Sequence, residues 1–292
     1  MTSTWVLLSL ISAFTLATSD ALTKKALAHS NEYLVAWFRL LFSLPLLLFL
    51  LIFIPMPKLD YGFYKAFVLA LPLEIIAIVL YIKALRVSPL SLTLPFLSLT
   101  PVFLISVSYL ILGEKVSFQG GIGIILIAAG SYTLNLHKIR GGILKPFRAI
   151  TKEKGSVLMI IVATIYSITS SLGKMAIEHS SPLFFGITYF IVVTLFFAPI
   201  ALKMGQADLK TFISERRFKV LFLPGFFFSV MIASHMVAIS LAKVAYMISI
   251  KRTSLIIGVI YGYLFFKEKN IRERLTGATL MFIGFVMIVT AS

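Results

Sequence analysis

The chain has 292 residues, 59% of them hydrophobic and only 13% charged, with a formal net charge of +16 and no cysteine. Soluble globular domains carry about 25% charged residues, so this composition belongs to an integral membrane protein. It also excludes disulfides, thiolate catalysis and thiolate metal sites. The Lys and Arg fall mostly between apolar runs, as in loops facing anionic lipid, and no basic stripe is interleaved with stacking aromatics. Nucleic acid is therefore not an expected partner. The four His residues are scattered, without metal-ligand spacing, so no metal or cofactor is expected either.

Apolar runs long enough to cross a bilayer recur over 4–23, 33–54, 63–84, 89–112, 117–136, 155–177, 182–203, 218–241, 244–266 and 272–290. The first begins without a basic n-region or a small-residue cleavage site, which predicts a retained helix rather than a signal peptide. Turn residues mark the breaks: Pro55 and Pro57, then Ser88-Pro89, Gly113, and Ser180-Ser181-Pro182. The longest basic connection, from His137 to Lys154, follows the fifth run and divides the chain nearly in half. The expected fold is all-α, with ten transmembrane helices. Residues 1–136 form one five-helix repeat, 137–154 a basic linker and 155–292 a second repeat.

The halves match in sequence. At an offset of 150, Leu22, Lys24, Ala26, His29 and Ser30 are identical to Leu172, Lys174, Ala176, His179 and Ser180. At an offset of 154, Glu114 and Lys115 match Glu268 and Lys269, Gly123 matches Gly277, and Gly130 matches Gly284. Five helices per repeat is an odd number, so the second copy enters the membrane inverted. Inverted repeats are the architecture of secondary transporters, with the substrate near the midplane. Most of the 27 Lys and Arg lie in loops after odd-numbered helices, which predicts those loops in the cytoplasm and both termini outside.

Gly113-Glu114-Lys115 and Lys267-Glu268-Lys269 each precede a glycine-spaced apolar helix. These ends resemble the EamA repeat of the drug/metabolite transporter superfamily, one per half and over essentially the whole chain. The resemblance implies a ten-helix basket and export or exchange of small metabolites, in a group whose substrates include amino acids, nucleotide sugars and sugar phosphates. It also implies both termini inside, the reverse of the charge distribution. In addition, Lys251-Arg252 resembles a Lys-Arg pair in the ninth helix of plastid phosphate translocators, where it contacts the substrate phosphate. That implies an anionic substrate.

The residues themselves point the same way. Lys251 and Arg252 lie about 10–12 Å along an apolar segment, at roughly 1.5 Å per residue, and no acid lies within that segment. Each charge costs about 2.5–3.5 kcal/mol at that depth, which marks a functional position. An anion held by an Arg fork with a Lys point charge beside it is the expected use, against a structural pair that caps carbonyls or snorkels. Arg39, about one turn from its helix start, either contacts substrate, snorkels or pairs with Asp20. Glu74 is a candidate proton-coupling carboxylate, a partner for Lys251 or Arg252, or a structural hydrogen bonder. Pro72, two residues earlier, suggests a broken helix at a cavity. His235 and its repeat equivalent Tyr81 are candidate substrate contacts, with helix-helix hydrogen bonding as the alternative. Lys24 and Lys174 are gate candidates or interfacial anchors. Glu114 and Glu268 are expected to hold helix ends at the surface. The glycines Gly120, Gly121, Gly123, Gly130, Gly277 and Gly284 predict close helix packing.

Together these features predict a secondary active transporter, an exporter or exchanger of a small anionic or zwitterionic metabolite. It would work by alternating access across the plasma (inner) membrane, with a monomer sufficient. The alternative is proton-coupled export of drugs, cations or amino acids through Glu74. No Walker motif is visible, and no paired acids or Ser-base arrangement at membrane depth supports an enzyme.

Overall fold

A bilayer offers backbone amides no water, which restricts a spanning chain to helices or a closed barrel. The computed structural model describes residues 2–27, 30–87, 94–133, 154–266 and 271–291, and every regular element among them is helical. The first half comprises α1 (Thr2–Leu27), α2 (Glu32–Leu51), α3 (Tyr61–Val87), a 3-10 turn (Leu94–Ser98), α4 (Leu99–Leu112) and α5 (Phe118–Thr133). The second comprises α6 (Lys154–Glu178), α7 (Pro182–Met204), α8 (Gln206–Ser214), a 3-10 turn (Arg217–Leu221), α9 (Phe222–Leu241), α10 (Val244–Lys251), α11 (Ser254–Phe266) and α12 (Ile271–Ala291). Six spans within α1, α2, α3, α6, α7 and the segment leading into α9 are long and apolar enough to cross a membrane. Phe96–Leu112, Phe118–Thr133 and Thr276–Ala291 are shorter apolar helices. His29, Glu268 and most of the expected 137–154 linker lie outside the described residues.

Four sequence expectations need correction. The run 244–266 is not one helix, because Arg252 and Thr253 separate α10 from α11. There the backbone tightens into i→i−3 hydrogen bonds, with Thr253 N–H donating to Ile250 O at 2.9 Å and Leu255 N–H to Arg252 O at 3.0 Å. The Thr253 hydroxyl also takes the Ile250 carbonyl at 2.7 Å, competing with regular helix. Run 89–112 is likewise not uniform, since its described part changes from 3-10 to α geometry after Ser98. At the offset of 154, Ser98 is the equivalent of Arg252, so the two irregularities coincide. By contrast, α3 is continuous through Pro72 where a break was expected. Finally, α8 is an additional short helix. It buries Phe212 against Leu34 and Phe38, and its Asp208 carboxylate accepts the Asn31 N–H at 2.8 Å.

The principal packing joins one half to the other. Helix α3 packs on α6 as α1 does on α9; α4 packs on α6 as α1 does on α11; α2 packs on α9 as α3 does on α7. The pairs α2–α7, α4–α10 and α5–α12 each join equivalent helices. In the last pair the glycines meet as expected. A Cβ on Gly123 would stand 2.8 Å from the Gly284 carbonyl, and one on Gly284 would stand 2.5 Å from the Gly123 carbonyl. Gly130 approaches Gly277 in the same way, whereas Gly121 faces nearly open space.

Candidate functional site

The break after α10 determines the position of the cationic pair. Lys251 closes α10, and its Nζ lies 3.3 Å from Nδ1 of His235 on α9. Arg252 stands in the break and donates through Nη2 to Thr100 Oγ1 on α4 at 3.0 Å. Thr100 is 1% exposed and gives its own hydroxyl proton to Leu97 O at 2.8 Å, which leaves an oxygen lone pair for the guanidinium. The Arg252 Nε is buried without a partner.

The other candidates converge on this pair. Glu74, on α3, lies beside Thr169 of α6 and within electrostatic reach of Lys251. Tyr81, one helical stretch further along α3, lies within reach of Arg39 and Arg252. Arg39 donates to Asp20 Oδ1 at 2.6 Å, as one reading expected, and its guanidinium carbon sits 4.6 Å from the centre of the Phe228 ring. Thus Lys251, Arg252, Glu74, His235, Tyr81 and Arg39, scattered over the sequence, occupy one region between the halves. Each keeps partial accessibility.

Arg39 is paired with Asp20, but Lys251 and Arg252 are not matched in this way. Among the described residues no carboxylate forms an ion pair with Lys251 or Arg252, whose side-chain hydrogen bonds go to the neutral-capable His235 and Thr100. The reading of Glu74 as a direct ion-pair partner of the two cations is therefore not realised. No group of three or more metal-ligating side chains is present among the described residues.

Sequence reasoning missed four neighbours. Tyr166 on α6 lies within electrostatic reach of Glu74, Tyr81, Arg39 and Arg252. Tyr189 on α7 lies near Glu74 and Tyr166, and its buried hydroxyl has no partner. Thr100 and Thr169 complete the set. The available signal was the polar run from Tyr166 to Ser171, unusual within an apolar helix.

The gate candidates separate. Lys24 is exposed near the end of α1. Lys174 is 8% exposed, so the interfacial-anchor reading fails for it. Its ammonium donates to Glu114 Oε1 at 2.5 Å and to the Ala242 carbonyl at 2.6 Å. Glu114 is likewise not a surface residue, and its Oε2 accepts the Val244 N–H of α10 at 2.8 Å.

Membrane-length helices enclosing a charged interior define a multi-pass membrane protein of the transporter class. The family model described as EamA-like transporter family matches residues 3–136 and 153–290, and the chain belongs to that family. Members of this family are transporters of the drug/metabolite superfamily rather than enzymes. A solved crystal structure shares the fold with a TM-score of 0.73 at 12% identity, over 98% of this chain and 96% of that one. No curated protein matches the sequence.

Proposed function

We propose that the protein is a secondary active transporter of a small anionic or zwitterionic metabolite, exporting or exchanging it by alternating access. The observation that carries this reading is the state of Lys251 and Arg252. Two cations stand at a helix break between the halves with no paired carboxylate among the described residues, and one guanidinium nitrogen is buried without a partner. A surplus of positive charge in such a region selects anions. An anion with two oxygens fits the Arg252 fork, with Lys251 beside it as a point charge. Arg39, Tyr81 and His235 are the further proposed contacts. The monomer supplies every residue of the site.

Two inverted five-helix repeats, over 1–136 and 155–292 around the 137–154 linker, are the architecture that accords with this mechanism. The exchange of packing partners between the halves supports it. The positive loops favour a plasma-membrane protein with both termini outside. Lys24 and Lys174, equivalent in the repeat, are the proposed gates at opposite ends.

The test is uptake of candidate anions into proteoliposomes by wild type, Lys251→Gln and Arg252→Gln. Undiminished anion transport by both variants sinks the site. A second reading, proton-coupled transport of cations or amino acids through Glu74, is favoured by the place of that carboxylate beside Thr169 and near Lys251. It requires uptake to respond to a pH gradient and to lose that response in Glu74→Gln.

A further inference from the structure

The most tightly bonded polar cluster outside the cationic region surrounds Glu114. Three structural parts meet there. The α4–α5 turn begins with Gly113 in the left-handed conformation, φ 70°, which reverses the chain after α4. Glu114 follows and divides its two oxygens between different elements. Oε1 accepts from Lys174 near the end of α6, and Oε2 accepts the Val244 N–H that opens α10. Lys174 also holds Ala242 O, just past the end of α9. A second tie runs from the same turn, since the Ser117 N–H donates to Tyr246 Oη at 3.0 Å, and the Ser117 hydroxyl lies at the same distance. Gly120 is what admits that phenol, because any side chain there would overlap the Tyr246 ring.

Helix α10 has only eight residues, a rod of about 12 Å. Its first turn is held by Glu114 and Ser117, and its last residue is Lys251. The irregular turn at Arg252 and Thr253 interrupts regular helix between it and α11. Its two ends are therefore the cluster and the cationic pair, with every residue from Val244 to Ile250 buried.

We infer that Glu114 is a positioning residue whose bridge between Lys174 and the α10 N-terminus closes this end of the protein and fixes the cationic pair for substrate. This rests on the transporter reading and adds to it the part that joins gate to site. Breaking the bridge frees α10 to tilt as a unit, which opens the end and displaces Lys251 together. In a low-dielectric setting an acid bonded to one cation and one N–H is a strong clamp, and neutralising it leaves Lys174 buried without its counter-ion.

The natural chain has no cysteine, so a single introduced thiol reports accessibility without background. Met247→Cys places it one turn inside α10, at a position 0% exposed, and Val193→Cys on α7, also 0% exposed, serves as the reference. Both are labelled with a membrane-impermeant maleimide in reconstituted full-length protein. Glu114→Gln is expected to raise labelling at position 247 at least about tenfold, the factor for one lost charge-assisted hydrogen bond, while position 193 stays protected. Unchanged labelling at 247, or an equal rise at 193, overturns the inference, the latter because it means general loosening. Should Glu114→Gln not fold, Tyr246→Phe removes the second tie, and it must raise labelling at 247 over 193; no change overturns the inference equally. The assay contains no substrate, so failure here is distinct from failure of the anion-uptake experiment.

Discussion

Arg252 donates to Thr100 across the interior, from the break that follows α10 to the first turn of α4. In the repeat register Arg252 corresponds to Ser98, two residues before Thr100, so the bond ties the irregular point of one half to the irregular point of the other. One half supplies a charge there and the other supplies a hydroxyl. The asymmetry confines the charge to one side of the contact, where a duplicated arginine would meet its own kind.

Removing the acceptor alone tests that bond. Thr100→Val keeps the shape and leaves a buried guanidinium with one fewer partner, at a cost of about 1–3 kcal/mol. The expected outcome is a folded protein with a lower Tm in detergent and weaker anion binding, measured by thermal unfolding with and without added anion.

Arg252→Lys is expected to fall short of wild type although it preserves charge. A lysine has no fork, so it forfeits the two-point grip and the buried Nε position. Transport assays should show KM raised on the order of tenfold, with Lys251→Arg affected less, because a point charge there is replaced by a larger cation that still reaches the anion.

The seam between α5 and α12 leaves no room for a side chain at Gly123 or Gly284. Gly123→Leu or Gly284→Leu is expected to abolish a monodisperse peak in size-exclusion chromatography, whereas Gly121→Ala, which faces nearly open space, leaves it intact. Overpacking commonly costs about 1–3 kcal/mol, and a contact against backbone carbonyls relaxes poorly.

One acid-sensitive contact lies outside the spanning segments. Asp60 Oδ2 meets His179 Nδ1 at 2.7 Å, and this hydrogen bond, with one from the Phe63 N–H, holds the Asp60 carboxyl below the usual aspartate range. A depressed carboxylate stabilises the fold above its unfolded pKa, near 3.9, and that contribution disappears as pH falls through the lower folded value. Asp60→Asn is therefore expected to lower the Tm slightly near pH 6 and to converge with wild type once the pH has fallen through that lowered folded value. A gap that persists in acid would point to another cause. Both groups are well exposed, so the effect is small.

The candidate site was legible in the sequence where it was charged. A lone cation or acid in an apolar segment is conspicuous because its cost is large, and Arg39, Glu74, Lys251 and Arg252 were found that way. His235 stood out as a lone imidazole in an apolar helix, and Tyr81 followed from it through the repeat. Tyr166 and Tyr189 were not found, since a phenol on a membrane helix costs little and looks like ordinary packing. The break at Arg252 and Thr253 carries neither Pro nor Gly. It arises from threonine bonding and local i→i−3 bonds, which composition does not reveal. At Pro72 the usual signal misled, because α3 remains helical on both sides of the ring and exposes it. Lys174 looked like a surface anchor because its partner, Glu114, lies 60 positions away in sequence.

The reciprocal glycines of α5 and α12 have a mechanical consequence. Ridges of side chains lock two helices in register, and turning one against the other must lift each ridge over its neighbour. Gly123 and Gly284 present no side chain of their own, so at these two points backbone meets backbone, with Ile127 and Ile288 packed beside them. A swing of the halves about this line would keep its contacts in place while separating the ties around α10. That close backbone approach is what would suit the seam to serve as an axle.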